Sequence, residues 1–394
     1  MVTTAIDGTT EGHAGRKRQR ANFQRALTMA HIVTAIAHVP FALALGGFAP
    51  PLVAMGGAGG LCVATAVRLQ VMVHDARRPR WVTKLVDEPL LAHWCACVLA
   101  TLLLPLTLLV GVLVGAVSRA SVPYAIARAE LFGYAFAALV AGFGLWVRRR
   151  FIRVVHVEVP IAGLAPELDG YRIAQVSDLH IGNHDPRERG LQWAERVNRL
   201  DADLVAVTGD LVTTGSHFYP DVADVIAAMR GKDGVFVSMG NHDQWDPDEL
   251  QRLIEARGSR VLRNSWTLVR RGGAELVVAG IDDRISGKAD LERTLAGRPE
   301  RTPTLLLAHD PDFFPEASRR NVHLVLSGHT HGGQIAVPFI ARRASLSRLA
   351  RQTAAGLHVQ NGSRLYVNAG LGTTGPPVRV GVAPEISVLV LRRT

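Results

Sequence analysis

Cysteine is scarce in this chain. Three occur among 394 residues: Cys62, Cys95 and Cys97. Three thiols build no disulfide framework, and the Cys95-Ala96-Cys97 spacing is not that of a zinc knuckle. They read as packing residues, in keeping with a reducing compartment. Charge is missing in blocks. Residues 26–67, 89–118 and 131–147 contain no Asp, Glu, Lys or Arg. About 20 apolar residues cross a bilayer core, so stretches this long and uncharged read as membrane spans. The mark of a cleaved signal peptide, one short apolar core before a small-residue cleavage site, does not fit several such segments in succession. No internal repeat is present.

Four spans are expected, near 26–46, 51–72, 89–117 and 131–147. The first two part at GGFAPP (46–51), where Gly and Pro punctuate a turn. The competing reading is a buried helical bundle in a soluble protein. Net charge is +10, and much of it flanks the spans. RKRQR (16–20) precedes the first, Arg68, Arg77, Arg78, Arg80 and Lys84 surround the second-to-third connection, and RRR (148–150) follows the fourth. The first turn has no basic residue, and the third-to-fourth loop has Arg119 and Arg128. Positive charge prefers the cytoplasmic side. Both chain ends are therefore expected in the cytoplasm, beneath an inner or plasma membrane crossed several times. Topology and contact with anionic membrane lipids account for the basic balance better than nucleic acid does. The division expected is a polar basic tail over 1–25, disordered to about Gln19, a transmembrane region over 26–150 and a soluble domain over 151–394.

In the soluble part, short β-rich runs alternate with amphipathic helical patterns, which argues for an α/β domain. The strand candidates are 172–176, 204–208, 235–239, 276–280, 304–308, 323–327, 365–369 and 386–391. Their continuous apolar character suggests burial on both faces. Helices are expected over 189–200, 220–229 and 248–257.

Polar clusters stand where five of these strands end. RIAQV leads to Ser177-Asp178-Leu179-His180, LVAVT to Gly209-Asp210, and VFVSM to Gly240-Asn241-His242-Asp243. TLLLA leads to His309-Asp310, and HLVLS to Gly328-His329-Thr330-His331. Ligands collect at the carboxyl ends of strands in open α/β sheets. Carboxylate and imidazole donors suit borderline divalent metals such as Mn, Fe, Zn, Co or Ni. The supply exceeds what one ion needs. Two ions sharing a carboxylate and a water would use it all, lowering the pKa of that water and clamping the oxygens of a phosphoryl centre. No nucleophilic Ser or Cys is required.

The ordered set of five motifs resembles the calcineurin-like metallophosphoesterases over about residues 154–393. GHTHGGQI (328–335) and the tail around GLGTTGPPVRVGVAPEISVL (370–389) look like that superfamily's membrane-associated bacterial branch. Members of that branch include enzymes similar to UDP-2,3-diacylglucosamine pyrophosphatases and general phosphodiesterases. The resemblance implies an α-β-β-α sandwich, here preceded by an all-α transmembrane region of about four helices. It implies that Asp178 and His180 bind a first metal with His331, that Asp210 bridges, and that Asn241, His309 and His329 bind the second, manganese being favoured. It also implies that His242 gives a proton or hydrogen bond to the phosphoryl or leaving-group oxygen, with Asp243 orienting it. The function expected is a membrane-anchored hydrolase of a phosphoester or phosphoanhydride, on a phosphorylated substrate with UDP-2,3-diacylglucosamine and other lipid-linked phosphates among the candidates, and with a role in lipid metabolism. A phosphodiesterase of soluble nucleotides, or a non-catalytic membrane sensor with a structural metal site, remain as alternatives.

Other residues carry less. His184, His217 and His358 lack a motif partner and read as surface or loop residues, although His184 is placed to line the site. Asp282 and Asp283 follow an apolar run and read either as an edge of the cleft or, the favoured reading, as a solvated loop. His31, His38 and His93 fall in spans, where ionisable residues are either functional or packed between helices. Gly332, Gly333, Gly372 and Gly375 suit tight turns. The basic segment 338–352 reads as an amphipathic element for the membrane surface or as a plain insertion.

Overall fold

A computed structural model describes residues 8–72, 76–118, 120–336 and 353–394. The basic segment 338–352 lies outside the described residues. The chain divides into two compact units, one over 1–74 and 78–148 with 376–378, the other over 75–77, 149–375 and 379–394.

The first unit is helical. It comprises α1 (Gly8–Leu45), α2 (Pro51–Met72), α3 (Arg80–Val82), α4 (Glu88–Ser118) and α5 (Val122–Gly142). A π-helical turn, Thr83–Asp87, joins α3 to α4, and another, Phe143–Val147, extends α5. Among the described residues, four segments are long and apolar enough to cross a membrane: Leu27–Leu45, Pro51–Met72, Arg80–Ser118 and Val122–Arg150. α1 begins at Gly8, so the part of the tail expected to be disordered continues as helix. Close packing of α4 on α5 rests on glycine. A Cβ on Gly111 would lie 2.6 Å from the Cα of Ile126, and one on Gly115 would lie 3.0 Å from that of Val122. Small residues let membrane helices approach in this way.

The second unit is built on two six-stranded sheets. The first has the order β1 (Arg153–Ile161), β12 (Glu385–Arg393), β2 (Arg172–Val176), β3 (Leu204–Thr208), β4 (Val235–Ser238), β5 (Arg260–Val261). The second has the order β10 (Gly356–Gln360), β11 (Ser363–Val367), β9 (Leu324–Ser327), β8 (Thr304–Leu307), β7 (Ala274–Gly280), β6 (Ser265–Arg271). β2, β3 and β4 run parallel, as do β7, β8 and β9.

Alternation along each strand explains the layering. Ile173, Leu204, Ala206 and Phe236 of the first sheet pack with Leu305, Leu307, Leu324 and Leu326 of the second in one buried core. The intervening Ala174, Val176, Val205 and Val207 face outward. They pack with residues of α6 (Arg187–Asn198), α7 (Tyr219–Ala227) and α8 (Pro247–Glu255). Leu306, Val325 and Val367 do the same on the other side, toward α9 (Leu291–Leu295) and α10 (Phe314–Arg319). The result is an α-β-β-α sandwich whose two inner faces share one apolar core. At the end of that core nearest the polar loops, Gln175 reaches across. Its Nε2 donates to Thr208 Oγ1 at 3.1 Å in its own sheet and to Ser327 O at 2.9 Å in the other.

Candidate metal centre

The carboxyl ends of β2, β3, β4, β8 and β9 meet at one edge of the sandwich. Their loops are tied by backbone hydrogen bonds. Asp178 N donates to Gly209 O at 2.9 Å and His180 N to Asp210 O at 3.0 Å. Asp178, His180, Asp210, His329 and His331 all have positive φ, between 45° and 70°. That left-handed conformation is uncommon for non-glycine residues and concentrates at functional sites, where the surrounding structure must enforce it. Glycines make room for the turn. Gly209 has φ +79°, and a Cβ there would lie 2.6 Å from His309 Nδ1. A Cβ on Gly328 would collide with Ser177 Oγ and Asp178 Oδ2.

Besides a grouping of His180, Asp210 and His242 within the loops of the first sheet, two donor groups result, each drawing on both sheets. In one, His331 Nε2 lies 3.3 Å from Asp178 Oδ1 and 3.1 Å from His180 Nε2. In the other, His309 Nε2 lies 3.2 Å from Asp210 Oδ2, and His329 Nδ1 lies 3.3 Å from His309 Nε2 and 3.0 Å from Asn241 Oδ1. Asp210 stands between them, because its Oδ2 is also 3.6 Å from His180 Nε2. Asp178, His180, Asp210, His309 and His331 are buried, whereas Asn241, His242 and His329 are partly open to solvent.

Hydrogen-bond accounting shows what the groups fit. His309 Nδ1 faces the carbonyl of Thr208 at 2.8 Å. A carbonyl only accepts, so Nδ1 donates, and once Nε2 gives up its proton its lone pair points at the Asp210 carboxylate. Electron pairs thus converge on one another, an arrangement that needs protons or cations between them. Burial, with neighbouring histidines adding to it, drives His180 down to about 3 and His331 well below the ordinary imidazole value. Burial lowers His329 as well. These rings are therefore unprotonated at neutral pH, the form that binds metal. Burial opposes the charged forms of Asp210 and His309 too. Their mutual attraction outweighs it, holding Asp210 well below the carboxylate range and His309 well above the imidazole range. Burial pushes Asp178 up to about 6. The donors fit divalent cations of borderline softness.

Asp243 is placed differently from the expectation. Its carboxylate does not hold His242. It accepts from the amides of Gly240 at 2.8 Å, Leu211 at 2.9 Å and Val212 at 3.2 Å, locking the β4 loop to the β3 loop. His242 Nδ1 instead donates to the carbonyl of Thr213 at 2.6 Å, and its amide donates to Asp210 Oδ1 at 2.9 Å. A backbone carbonyl outcompetes Asp243 because the short helical turn Asn241–Asp243 folds the carboxylate back toward amides. Asp282 and Asp283, expected in solvent, are buried, and Asp282 pairs with Arg263 at 3.1 Å. His184 and His358 are partly buried and His217 is exposed.

Sequence reasoning passed over two buried ions. The Arg379 guanidinium donates to the carbonyls of Ala369 at 2.9 Å, Gly370 at 3.0 Å and Gly372 at 2.6 Å, fixing the loop against Asp178. Asp185 pairs with Arg149 at 2.8 Å and Arg189 at 3.2 Å. Burial opposes its ionisation, and the two guanidinium groups overcome that and lower its pKa.

This fold and donor set define a metal-dependent phosphoesterase. Comparison with known proteins agrees. The calcineurin-like phosphoesterase family model matches residues 171–333. A metallophosphoesterase of Bacillus subtilis is 30% identical, the match covering 64% of this chain and 90% of that one. Another, from Aquifex aeolicus, is 30% identical, covering 65% of this chain and 98% of that one. A Danio rerio protein named as a transmembrane protein with metallophosphoesterase domain is 31% identical, covering 68% of this chain and 63% of that one. The chain belongs to the calcineurin-like phosphoesterases. It is a phosphoester hydrolase whose family implies divalent metal ions.

Proposed function

We propose that this protein is a membrane-anchored hydrolase that holds two divalent ions, manganese being favoured, and cleaves a phosphoester or phosphoanhydride of a lipid-linked substrate such as UDP-2,3-diacylglucosamine. The observation that carries the reading is the position of Asp210, within reach of both donor groups. Asp178, His180 and His331 would hold one ion, Asn241, His309 and His329 the other, and Asp210 both. When bound, the ions supply Lewis acidity toward the phosphoryl oxygens and a water of lowered pKa.

The chain's own residues do the rest. His242 is partly exposed, and its Nδ1 proton is committed to Thr213. Its Nε2 is therefore the atom free to take and give a proton, and it would serve the leaving-group oxygen. Asp243 and Arg379 keep the loops rigid from behind, as supporting partners of metal ligands commonly do.

The lipid-linked substrate is supported by the four apolar segments. A tether confines the domain to the membrane surface, where a lipid-linked phosphate is already concentrated. The basic clusters beside the spans support a cytoplasmic site. Hydrolysis by the full chain in detergent with Mn²⁺ tests the proposal, setting UDP-diacylglucosamine and lipid phosphates against bis-p-nitrophenyl phosphate and a nucleotide diester. Strong preference for a lipid substrate is expected. Turnover of soluble diesters alone would reduce the spans to an anchor, and no turnover with both ions bound would favour a sensor.

A further inference from the structure

The helical unit contains a second cluster of donor atoms. His38 of α1 and His93 and Cys97 of α4 each offer one atom, all within 4.8 Å of one another. His38 and Cys97 are buried, and His93 is partly so. His38 Nδ1 donates to the carbonyl of Thr34 at 2.7 Å. This fixes the neutral tautomer and leaves the Nε2 lone pair aimed into the cluster, 3.2 Å from His93 Nε2. Cys97 Sγ lies 3.6 Å from that same His93 nitrogen. His93 Nδ1 meets Tyr134 Oη of α5 at 2.8 Å. Phe41 closes the cluster, its ring 4.8 Å from that of His93 and 4.7 Å from that of Tyr134.

Three features together make this more than packing. Polar and ionisable groups are costly within a membrane span, and three here face a common point. His93 and Cys97 are four residues apart, so one helical face presents both. Each histidine has its second ring nitrogen occupied by an oxygen, the arrangement that orients metal-ligating imidazoles. A thiol beside two imidazoles selects soft or borderline ions and disfavours magnesium or calcium.

We infer that His38, His93 and Cys97 bind one transition-metal ion of the zinc and copper class, with Tyr134 orienting His93. This site is independent of the phosphoesterase donors, which are all nitrogen and oxygen. That difference supplies the test. The full chain is purified in detergent, loaded with Co²⁺ as a probe, and read by near-ultraviolet absorption. A thiolate-to-cobalt charge-transfer band is expected at one per chain. It should vanish in Cys97→Ser, weaken in His38→Ala and persist in Cys62→Ser and Cys95→Ser. Turnover of bis-p-nitrophenyl phosphate should be unchanged in Cys97→Ser. Wild-type protein fully active with Co²⁺ yet lacking the band would overturn the inference without recourse to any variant. So would a band that survives in Cys97→Ser.

Discussion

His242 touches Asp210 through its backbone amide and is partly open to solvent, so the amide contact and the role proposed for the ring are separable. His242→Ala keeps the amide and removes the ring. We expect both ions to be retained and kcat toward a diester to fall by about 10²–10⁴-fold, the usual contribution of a positioned acid or base. Metal analysis beside steady-state kinetics checks this, and loss of an ion would move His242 into the ligand set. Asp185 tests a buried pair instead. Removing one partner of such a pair costs about 3–5 kcal/mol, so Asp185→Asn should lower the urea midpoint at neutral pH. The folded-state pKa of Asp185 is depressed. Its stabilisation is therefore present above the ordinary carboxyl value of 3.8 and is lost as pH falls through the depressed value. The gap between variant and wild type should narrow on acidification, and a constant gap would show that the charge is irrelevant. At this scale the donors were legible in the sequence because each follows a strand end. Asp243 was assigned the wrong partner because a sequence does not show which nearby amides a carboxylate reaches. Arg379 and Asp185 were missed because a lone charge carries no motif, and Arg149 stands 36 positions before Asp185.

Among elements, every strand expected from a continuous apolar run is present: β2, β3, β4, β7, β8, β9, β11 and β12. The missed strands are β1, β5, β6 and β10. β1, β5, β6 and β10 are the edge strands of the two sheets. Edges face solvent on one side and so mix polar residues into the run, which blurs the signal. The ends of the three helices expected in the second unit shift by one or two residues, as helix ends commonly do. The spans can be probed the same way. Gly111→Leu drives a side chain into the backbone of Ile126, and overpacking of this kind costs about 1–3 kcal/mol. Among the described residues, nothing lies within 4 Å of where a Cβ on Gly56 of α2 would stand. The thermal midpoint in detergent should drop for Gly111→Leu and stay level for Gly56→Leu. Equal behaviour would mean that the α4–α5 contact does not limit stability.

For the whole molecule, composition alone announced two kinds of material in one chain: uncharged segments that suit lipid, and an α/β unit with polar strand ends. Which side of the bilayer receives the second unit is a matter of charge placement. With the cytoplasmic side proposed from the basic flanks, a fluorescent-protein fusion at the C-terminus should be bright and an alkaline phosphatase fusion silent. The reverse result would put the site outside the cytoplasm.

Each of the two donor groups draws on both sheets, and among the described residues the layer between those sheets is apolar, aliphatic and aromatic, with Gln175 at its rim. That layer therefore sets the spacing of the two candidate donor groups. One strand residue is about 3.3 Å long, comparable to the ligand spacings themselves, so a slip of a single residue between the sheets would part both groups at once. Substitutions at Ala206 or Leu326, both in that core, should be felt first as lost metal affinity and only later as unfolding.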